Sequence, residues 1–319
     1  MYDLIADVGG TNIRLALLDG EQQLSIECFK CSDFASLEQV VAHYLEDKRD
    51  IEVADACFGI AGPVHGQEFT MTNLGWTFSV ASLKAAIGLR NVYFINDYTA
   101  ISMSIVELSA DDLLPIHPVD ADQDAPRIIC GPGTGLGMAQ LVKVDNFYEC
   151  ISGEGGHADF APNNLRQLKV LEALMTTFGH VSIERLLSGQ GIVNIYQALA
   201  QVDGLVAKGY EASEISQRFI EQSDAVCVET IELFCDVLAQ VLGNMVVTSG
   251  AFGGVYIAGG IMPRIIEHID TERFIQAYSN KGRFNSYVLN APIYLITQAQ
   301  PGLLGAAVYL SQKKIKGNI

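Results

Sequence analysis

The chain opens with an apolar run that carries one acid and breaks at paired glycines, Leu4-Ile5-Ala6-Asp7-Val8-Gly9-Gly10-Thr11-Asn12. From Ile13 to Leu17 apolar residues then alternate with Arg14 and Ala16, which predicts a second strand rather than a helix. A Rossmann fingerprint or a P-loop needs its glycines to open a helix, so both are excluded. The glycines therefore belong to a hairpin turn.

This turn suits a phosphate group. Paired glycines allow positive φ and a close approach of backbone N–H groups, and Thr11 and Asn12 add short donors. Asp7 then has a role near a bound metal. The alternative is an ordinary tight turn with an acid at the end of a strand, and the segment alone does not decide between the two.

The first third of the chain has the element order βββαβαβα. Strands are predicted near 3–8, 13–19, 24–30, 54–60 and 92–95, and helices from Leu37 to Leu45 and over 79–87 and 98–108. Residues 109–126 contain five aspartates and three prolines, which predicts a boundary or linker.

The opening pattern then starts again. A strand over 127–130 leads into a glycine turn over 131–137, and strands follow over 138–144 and 147–151. A helical region has its clearest stripe from Cys227 to Met245, and strands over 255–258 and 292–296 precede a final helix over 302–310. Two similar halves indicate an internal duplication. The predicted domains are a small α/β domain, 1–108 plus 300–319, and a large α/β domain, 109–299, with a helical insert.

Composition limits the partners and the compartment. A formal charge of -17 argues against nucleic acid or an anionic membrane as partner, because both require a basic face. No signal sequence is present and no apolar run reaches the ~18–20 residues of a spanning helix, so a cytoplasmic location is expected. The spacing of Cys28 and Cys31 resembles half a zinc site, but three positions along a strand point to opposite faces. Two unrelated cysteines are expected.

Three glycine motifs in order resemble those of the sugar-kinase, actin and heat-shock chaperone ATPase superfamily. Asp7–Asn12 matches the first phosphate motif, Gly133–Gly137 the second, and Ile257–Ile261 the adenosine motif. The resemblance implies an α/β fold of two actin-like ATPase (ribonuclease H-like) domains with an interdomain cleft. It implies nucleotide contacts from Asp7, Gly9, Gly10, Thr11, Asn12, Gly133, Thr134, Gly135, Gly259 and Gly260.

Within that superfamily the chain is most similar to bacterial ATP-dependent glucokinases, from Asp3 to about Leu310. The match is carried by Phe94–Tyr98, Ser152–Phe160, Gly179–Gly189 and Lys281–Phe284. It implies that Mg-ATP phosphorylates the 6-hydroxyl of glucose, with Mg²⁺ placed through Asp7 and water, and that the protein is a homodimer. The sugar hydroxyls would be contacted by Asn96, Asp97, Glu154, His157 and Glu184, with Asp97 as general base.

The related family that binds structural zinc carries a cysteine-rich segment after its histidine. Ala158–Pro162 stands there in this chain, so the resemblance implies no zinc.

Several alternatives stay open at this stage. Asn96 or Asp97 could cap the helix that follows, and the carboxylate of Glu184 could interact favourably with the dipole at a helix start. Glu154 and His157 could be ordinary loop residues. The substrate could be another hexose, such as mannose or an N-acetylated amino sugar. A non-catalytic sugar sensor or an actin-like filament subunit is a more distant alternative. The sensor would need a DNA-binding segment, and the filament subunit would have no need of the sugar-binding acids.

Overall fold

The computed structural model describes residues 1–48, 50–62, 64, 66, 68–71 and 74–317. The chain divides into two compact units, one of residues 1–109, 144–152 and 298 onward, the other of residues 110–143 and 153–297. Residues 144–152, which the sequence analysis placed in the large domain, thus belong to the first unit. Residues 318 and 319 of the predicted small domain lie outside the described residues.

The described part of the chain forms strands and helices throughout. The strands are β1 (Tyr2–Val8), β2 (Asn12–Asp19), β3 (Gln22–Lys30), β4 (Val53–Ile60), β5 (Glu68–Met71), β6 (Trp76–Ser79), β7 (Asn91–Asn96), β8 (Leu113–His117), β9 (Arg127–Pro132), β10 (Leu136–Val144), β11 (Phe147–Gly153), β12 (Gly254–Ile257) and β13 (Ile293–Ile296). The helices are α1 (Leu37–Glu46), α2 (Val80–Ile87), α3 (Asp97–Ser104), α4 (Leu165–Met175), α5 (Gly189–Val202), α6 (Ala212–Ile220), α7 (Ala225–Ser249), α8 (Met262–Ile265), α9 (Thr271–Ser279), α10 (Asn285–Val288) and α11 (Pro301–Gly317).

The first unit is built on a five-stranded sheet in the order β3-β2-β1-β4-β7. Strands β1 and β2 are antiparallel and place Asp7 opposite Arg14, while β4 and β7 run parallel to β1. Parallel strands end at the same edge of a sheet, which is where an open α/β sheet binds its ligands. The turn after β1 and the residues after β7 therefore share that edge.

Helices cover both faces of this sheet. On one face the apolar sides of α1 and α2, including Val40, Tyr44 and Leu83, pack on the strands. On the other face α3 and α11 pack on the strands through Ala100 and Leu303. A Cβ at Gly305 of α11 would lie 1.6 Å from the backbone oxygen of Ala100, so these two helices can meet only without a side chain there.

The second unit repeats this strand order. Its sheet has the strand order β10-β9-β12-β13-β8, with β10 and β9 antiparallel and β9, β12 and β13 parallel. Strand β8 lies inside the segment predicted to be a linker, so that prediction was wrong for residues 113–117. The strand contains Pro115 and is flanked by aspartates and Pro118, so its sequence shows no strand period, yet it pairs with β13 and buries Ile116.

Most predicted elements are confirmed, with shifted bounds. The 25-residue helix α7 ends at Gly250, which adopts φ 63°, the left-handed conformation that glycine provides at a helix end. Helix α3 ends at Ser104, four residues before its predicted end. The β5–β6 hairpin was not predicted because its four-residue strands are too short to show a period. Among the described residues, no helix is both long and apolar enough to cross a membrane.

Candidate active site

The first glycine turn is a tight hairpin. The N–H of Gly9 donates to the backbone oxygen of Asn12 at 2.9 Å, which leaves Gly10 and Thr11 at the tip. Gly9 does not adopt positive φ, contrary to the sequence expectation; a Cβ there would lie 3.2 Å from the oxygen of Asn12. Close backbone approach, rather than a left-handed conformation, is what favours glycine at this position.

A residue beyond the motif holds this turn in place. The backbone N–H of Cys31 donates to the oxygen of Thr11 at 2.9 Å, and its thiol donates to the oxygen of Gly9 at 3.5 Å. Cys31 is buried in a short 3₁₀ turn just after β3, whereas Cys28 is exposed on that strand. The two cysteines therefore lie in different surroundings, but because Cys31 follows the strand and is not part of it, and not because they face opposite sides of one strand as predicted.

Asp7 lies one residue before the end of β1, close to the guanidinium group of Arg14. Arg14, opposite it in β2, places Nη1 3.8 Å from Asp7 Oδ2. Burial raises the pKa of Asp7, and the Arg14 guanidinium partly offsets this. The start of α11 also lies against this carboxylate, because a Cβ at Gly302 would be 3.0 Å from Asp7 Cγ.

Asn96 and Asp97 stand where β7 passes into α3. The side-chain oxygen of Asn96 accepts from the N–H groups of Tyr98 and Thr99, at 2.9 and 3.4 Å, and its amide nitrogen donates to the oxygen of Gly62 at 3.0 Å. Asn96 is thus the N-cap of α3. It also ties the helix start to the loop after β4.

The carboxyl group of Asp97 is in the first turn of α3 and largely shielded from water. Desolvation raises its pKa to about 6, the N–H of Tyr98 lowers it, and the nearby charge of Asp7 raises it. A carboxyl group with that pKa is ionised at neutral pH yet remains a stronger base than an ordinary aspartate. These are the properties of a general base that works near pH 7.

The residues around Asp7 fit a magnesium ion. Asp7 and Asp97 are close enough for one charge to raise the pKa of the other, and Arg14 is the cation paired with Asp7 among the described residues. Mg²⁺ is commonly held by one or two carboxylates together with substrate phosphates. Asp7, next to the first glycine turn, supplies a carboxylate of that kind.

In the second unit, the second glycine turn is fastened at both ends. Within it the N–H of Gly133 donates to the oxygen of Gly135 at 2.8 Å, with exposed Thr134 at the tip. Outside it the N–H of Gly189 donates to the oxygen of Gly133 at 2.8 Å, and the N–H of Leu136 donates to Glu184 Oε2 at 2.8 Å. Neither Gly133 nor Gly135 adopts positive φ.

His157 and Glu184 lie on neighbouring segments. The N–H of Ile183 donates to the backbone oxygen of Ala158 at 2.9 Å, and the N–H of Phe160 donates to the backbone oxygen of Val181 at 3.0 Å. Both side chains line a cavity of about 340 Å³, whose wall consists of His157, Thr177, Phe178, Gly179, His180, Ser182, Glu184 and Arg185. Glu154 is exposed immediately before the 3₁₀ turn that contains His157.

The adenosine motif follows β12. Gly259 has φ 84°, and a Cβ there would lie 2.4 Å from the backbone oxygen of Pro132, at the end of β9. Gly259 therefore combines a left-handed backbone conformation with a close approach to a neighbouring strand, and both favour glycine at this position. Gly260 is exposed, with open space where a Cβ would stand.

The predicted residues thus form two groups, one in each unit. The first unit brings Asp7, the first glycine turn, Asn96 and Asp97 to one edge of its sheet. The second unit holds Glu184 against the second glycine turn, with His157 on the same cavity wall. Sequence reasoning missed the residues that support these groups: Arg14, Cys31, Gly62 and Gly302. The alternation of β2 places Arg14 on the same face of the sheet as Asp7, so the sequence could have predicted this pair. Nothing in the sequence alone indicates the roles of Cys31, Gly62 and Gly302.

Comparison with known proteins identifies the relatives. The Glucokinase family model matches residues 4–313. The chain belongs to the glucokinase family. A glucokinase from Pectobacterium atrosepticum is 45% identical over 313 residues, covering 98% of this chain and 97% of the relative. A glucokinase from Photorhabdus laumondii is 43% identical over 315 residues, covering 98% of each chain.

Solved structures agree with this assignment. The crystal structure of a glucokinase from an Antarctic psychrotroph has a TM-score of 0.91 at 35% identity, covering 98% of this chain and 99% of that one. A ROK family glucokinase from Streptomyces griseus, solved in complex with glucose and AMPPNP, has a TM-score of 0.62 at 18% identity, covering 98% of this chain and all of that one. At 18% identity the second likeness supports the fold alone. The α/β, actin-like ATPase fold implied by the sequence is thereby confirmed.

Proposed function

We propose that this chain catalyses ATP-dependent phosphorylation of glucose to glucose 6-phosphate. The observation that carries the proposal is Asp97, a partly buried carboxyl group whose desolvation raises its pKa to about 6, in the first turn of a helix whose cap is already provided by Asn96. Capping therefore does not account for Asp97. In a member of the glucokinase family, proton transfer from the 6-hydroxyl of the sugar is the role that fits.

The other residues take roles that follow from their surroundings. Gly10, Thr11 and Asn12 in the first turn, and Thr134 and Gly135 in the second, offer donors to the phosphates of ATP. Gly9 and Gly133, whose N–H groups close the two turns, let the nucleotide approach the backbone, and Gly259 and Gly260 leave room for the nucleoside. Asn96, whose oxygen caps α3 and whose amide nitrogen donates to Gly62, also contacts a sugar hydroxyl through its amide group. Glu154, His157 and Glu184 bond the remaining hydroxyls. Asp7, together with water, would hold Mg²⁺, which would neutralise the negative charge on the transferring phosphoryl group.

The phosphoryl acceptor and the metal can be tested together. Purified protein is assayed for ADP release, through a coupled reaction, with glucose, mannose, fructose and N-acetylglucosamine, at a series of free Mg²⁺ concentrations. We expect glucose to give the highest kcat/KM and chelation of Mg²⁺ to abolish turnover. Another sugar well above glucose would assign the same chemistry to that hexose. ADP release that no sugar stimulates would contradict the kinase itself.

Assembly and location are part of the same proposal. The family resemblance implies a homodimer in the cytoplasm, and the strongly acidic composition favours neither nucleic acid nor an anionic membrane as partner. Light scattering of the purified chain measures the assembly directly. We expect twice the mass of one chain, independent of added glucose.

A further inference from the structure

Glu184 touches the second glycine turn as well as the cavity assigned to the sugar. Its Oε2 accepts the N–H of Leu136, the first residue after the turn, at 2.8 Å. At the other end of the turn, the backbone oxygen of Gly133 accepts the N–H of Gly189 at 2.8 Å. Both ends of the turn are therefore bonded to the single segment 184–189.

The position of that carboxylate explains the glycine inside the turn. A Cβ on Gly135 would lie 2.7 Å from Glu184 Oε2 and 3.5 Å from its Cδ. The backbone of Gly135 is not in the left-handed region, so an alanine would meet no conformational strain there. The space is thus reserved for the carboxylate of Glu184.

The backbone of Glu184 is held firmly, so its side chain does not simply follow the turn. It lies in the 3₁₀ turn Ile183–Arg185, and its backbone oxygen accepts the hydroxyl of Ser188 at 2.9 Å. The same hydroxyl accepts the N–H of Gly191 and caps α5. The fixed element is therefore the 184–189 segment, and the turn is positioned against it.

Leu136 also contacts the segment of the other predicted sugar residues. A Cβ on Gly156 would lie 2.6 Å from the backbone oxygen of Leu136, so the 3₁₀ turn Gly155–His157 packs against the strand that leaves the glycine turn. Among the described residues, none donates a hydrogen bond to the other carboxylate oxygen of Glu184, Oε1. That oxygen is left for a ligand in the cavity.

We propose that Glu184 is a positioning residue for the second glycine turn in addition to being a sugar ligand. One oxygen fixes the turn and the other binds a hydroxyl, so sugar binding and nucleotide-phosphate binding are coupled through one carboxylate. A hydroxyl on Oε1 restricts rotation of the carboxylate and so favours the bond from Oε2 to Leu136. Coupling of this kind is reciprocal, so each ligand tightens the other by the same factor. The identity of the ligands rests on the proposed function.

The test compares three variants by calorimetric binding of AMPPNP with Mg²⁺ in the absence of sugar, and separately of glucose alone. Glu184→Ala removes both contacts, and we expect each ligand to bind about tenfold more weakly. Glu184→Gln keeps an oxygen for the N–H of Leu136 but presents an amide hydrogen to the sugar. It should retain AMPPNP affinity within about twofold while losing glucose affinity. Glu154→Ala is the matched control, a predicted sugar acid without a contact to the turn, and should weaken glucose alone.

A double-mutant cycle tests the same contact without relying on one variant. Gly135→Ala should weaken glucose about tenfold in the native background, because its Cβ displaces the carboxylate of Glu184. In the Glu184→Ala background the same change should have little effect. Additive effects, or unchanged AMPPNP affinity in Glu184→Ala, would overturn the positioning role. If Glu184→Ala does not fold, Glu184→Gln and Gly135→Ala test the proposal instead. A Gly135→Ala variant that loses affinity for AMPPNP but not for glucose would overturn it.

Failure of the proposed function has a different signature. In that case no sugar stimulates ADP release in the unaltered protein. The AMPPNP comparison between Glu184→Ala and Glu184→Gln still reports whether the carboxylate positions the turn.

Discussion

Asn96 and Asp97 are adjacent, yet only Asn96 caps helix α3, through bonds from its side-chain oxygen to the N–H groups of Tyr98 and Thr99. Asp97 is the first residue of the helix, and its Oδ1 accepts the N–H of Tyr98 at 3.0 Å. The local sequence allowed either residue to be the cap. Because Asn96 takes that role, the carboxyl group of Asp97 is free for chemistry, and its substitution tests chemistry rather than helix stability.

We therefore expect Asp97→Asn to lower kcat by roughly 10²–10⁴-fold while glucose binding is largely kept. Asparagine has nearly the same shape and can still bond a hydroxyl, but it cannot accept the proton as the new bond to phosphorus forms. Steady-state turnover and the glucose-induced shift of the melting temperature are measured on the same preparation. Asp33→Asn, an exposed acid of the first unit, is the control and should leave both unchanged.

Near-normal turnover of Asp97→Asn would remove Asp97 from the reaction. A loose phosphoryl-transfer transition state needs less help from a base, so the loss of kcat in Asp97→Asn should lie toward the lower end of this range. Loss of the melting shift together with turnover would instead indicate that Asp97 mainly binds the sugar.

The pKa of Asp97 predicts how the rate depends on pH. The base must be ionised, and burial raises its pKa from 3.8 to about 6, so kcat/KM for glucose should fall by about tenfold per pH unit below that value. Bound Mg²⁺ would favour the ionised form, so the fall in kcat at saturating Mg-ATP should begin at lower pH. Asp97→Asn should lack this acid limb.

Unfolding at low pH can be distinguished from this effect. A carboxyl group whose pKa is raised in the folded state binds more protons there than in the unfolded chain between pH 3.8 and about 6. Its contribution therefore favours the folded state as the pH falls through that window. Melting curves at pH 7 and 5.5 should consequently show less destabilisation for the unaltered protein than for Asp97→Asn. A rate loss that follows melting in both proteins would contradict the assignment.

The sequence was informative where the signal is local. The alternation from Ile13 to Leu17 and the long apolar stripe of α7 predicted their elements, because burial of one face imposes a period on the residues themselves. The glycine turns were found, but the reason given for them was only half right. A Cβ on Gly9 would meet the backbone oxygen of Asn12 in the same turn, whereas a Cβ on Gly135 would meet the carboxylate of Glu184, which the sequence around Gly135 does not indicate.

The site residues depended on contacts between distant segments. Glu184 and Leu136 are 48 positions apart, and their bond depends on how the second glycine turn and the 3₁₀ turn Ile183–Arg185 meet. The family resemblance named Glu184 as a sugar residue, and this second contact became visible only in three dimensions. The same holds for Gly302, which the sequence showed merely as one small residue in a helix of small residues.

The cysteine pair gives a third prediction. Replacing Cys28 and Cys31 by serine should leave ATP-dependent turnover near normal, because a serine hydroxyl at position 31 can still donate to the oxygen of Gly9. Cys31→Val keeps the buried volume but removes the donor, and should raise the KM for ATP by about two- to fivefold. Metal analysis of the unaltered protein accompanies the kinetics. Zinc in stoichiometric amount, lost in the double variant, would show that the cysteines bind metal after all.

The last prediction concerns the place where α11 begins. A Cβ on Gly302 would lie 3.0 Å from Asp7 Cγ and 3.2 Å from both carboxylate oxygens, so Gly302→Ala should displace that carboxylate by a few tenths of an ångström. If Asp7 places Mg²⁺, the free Mg²⁺ needed for half-maximal activity should rise by about three- to tenfold, with the KM for glucose unchanged. Stability should not fall greatly, because alanine is the better helix former. Gly317→Ala, in the same helix with open space around it, is the matched control and should leave the Mg²⁺ requirement unaltered. An unchanged requirement in Gly302→Ala, beside a normal melting temperature, would mean that the metal is placed without Asp7.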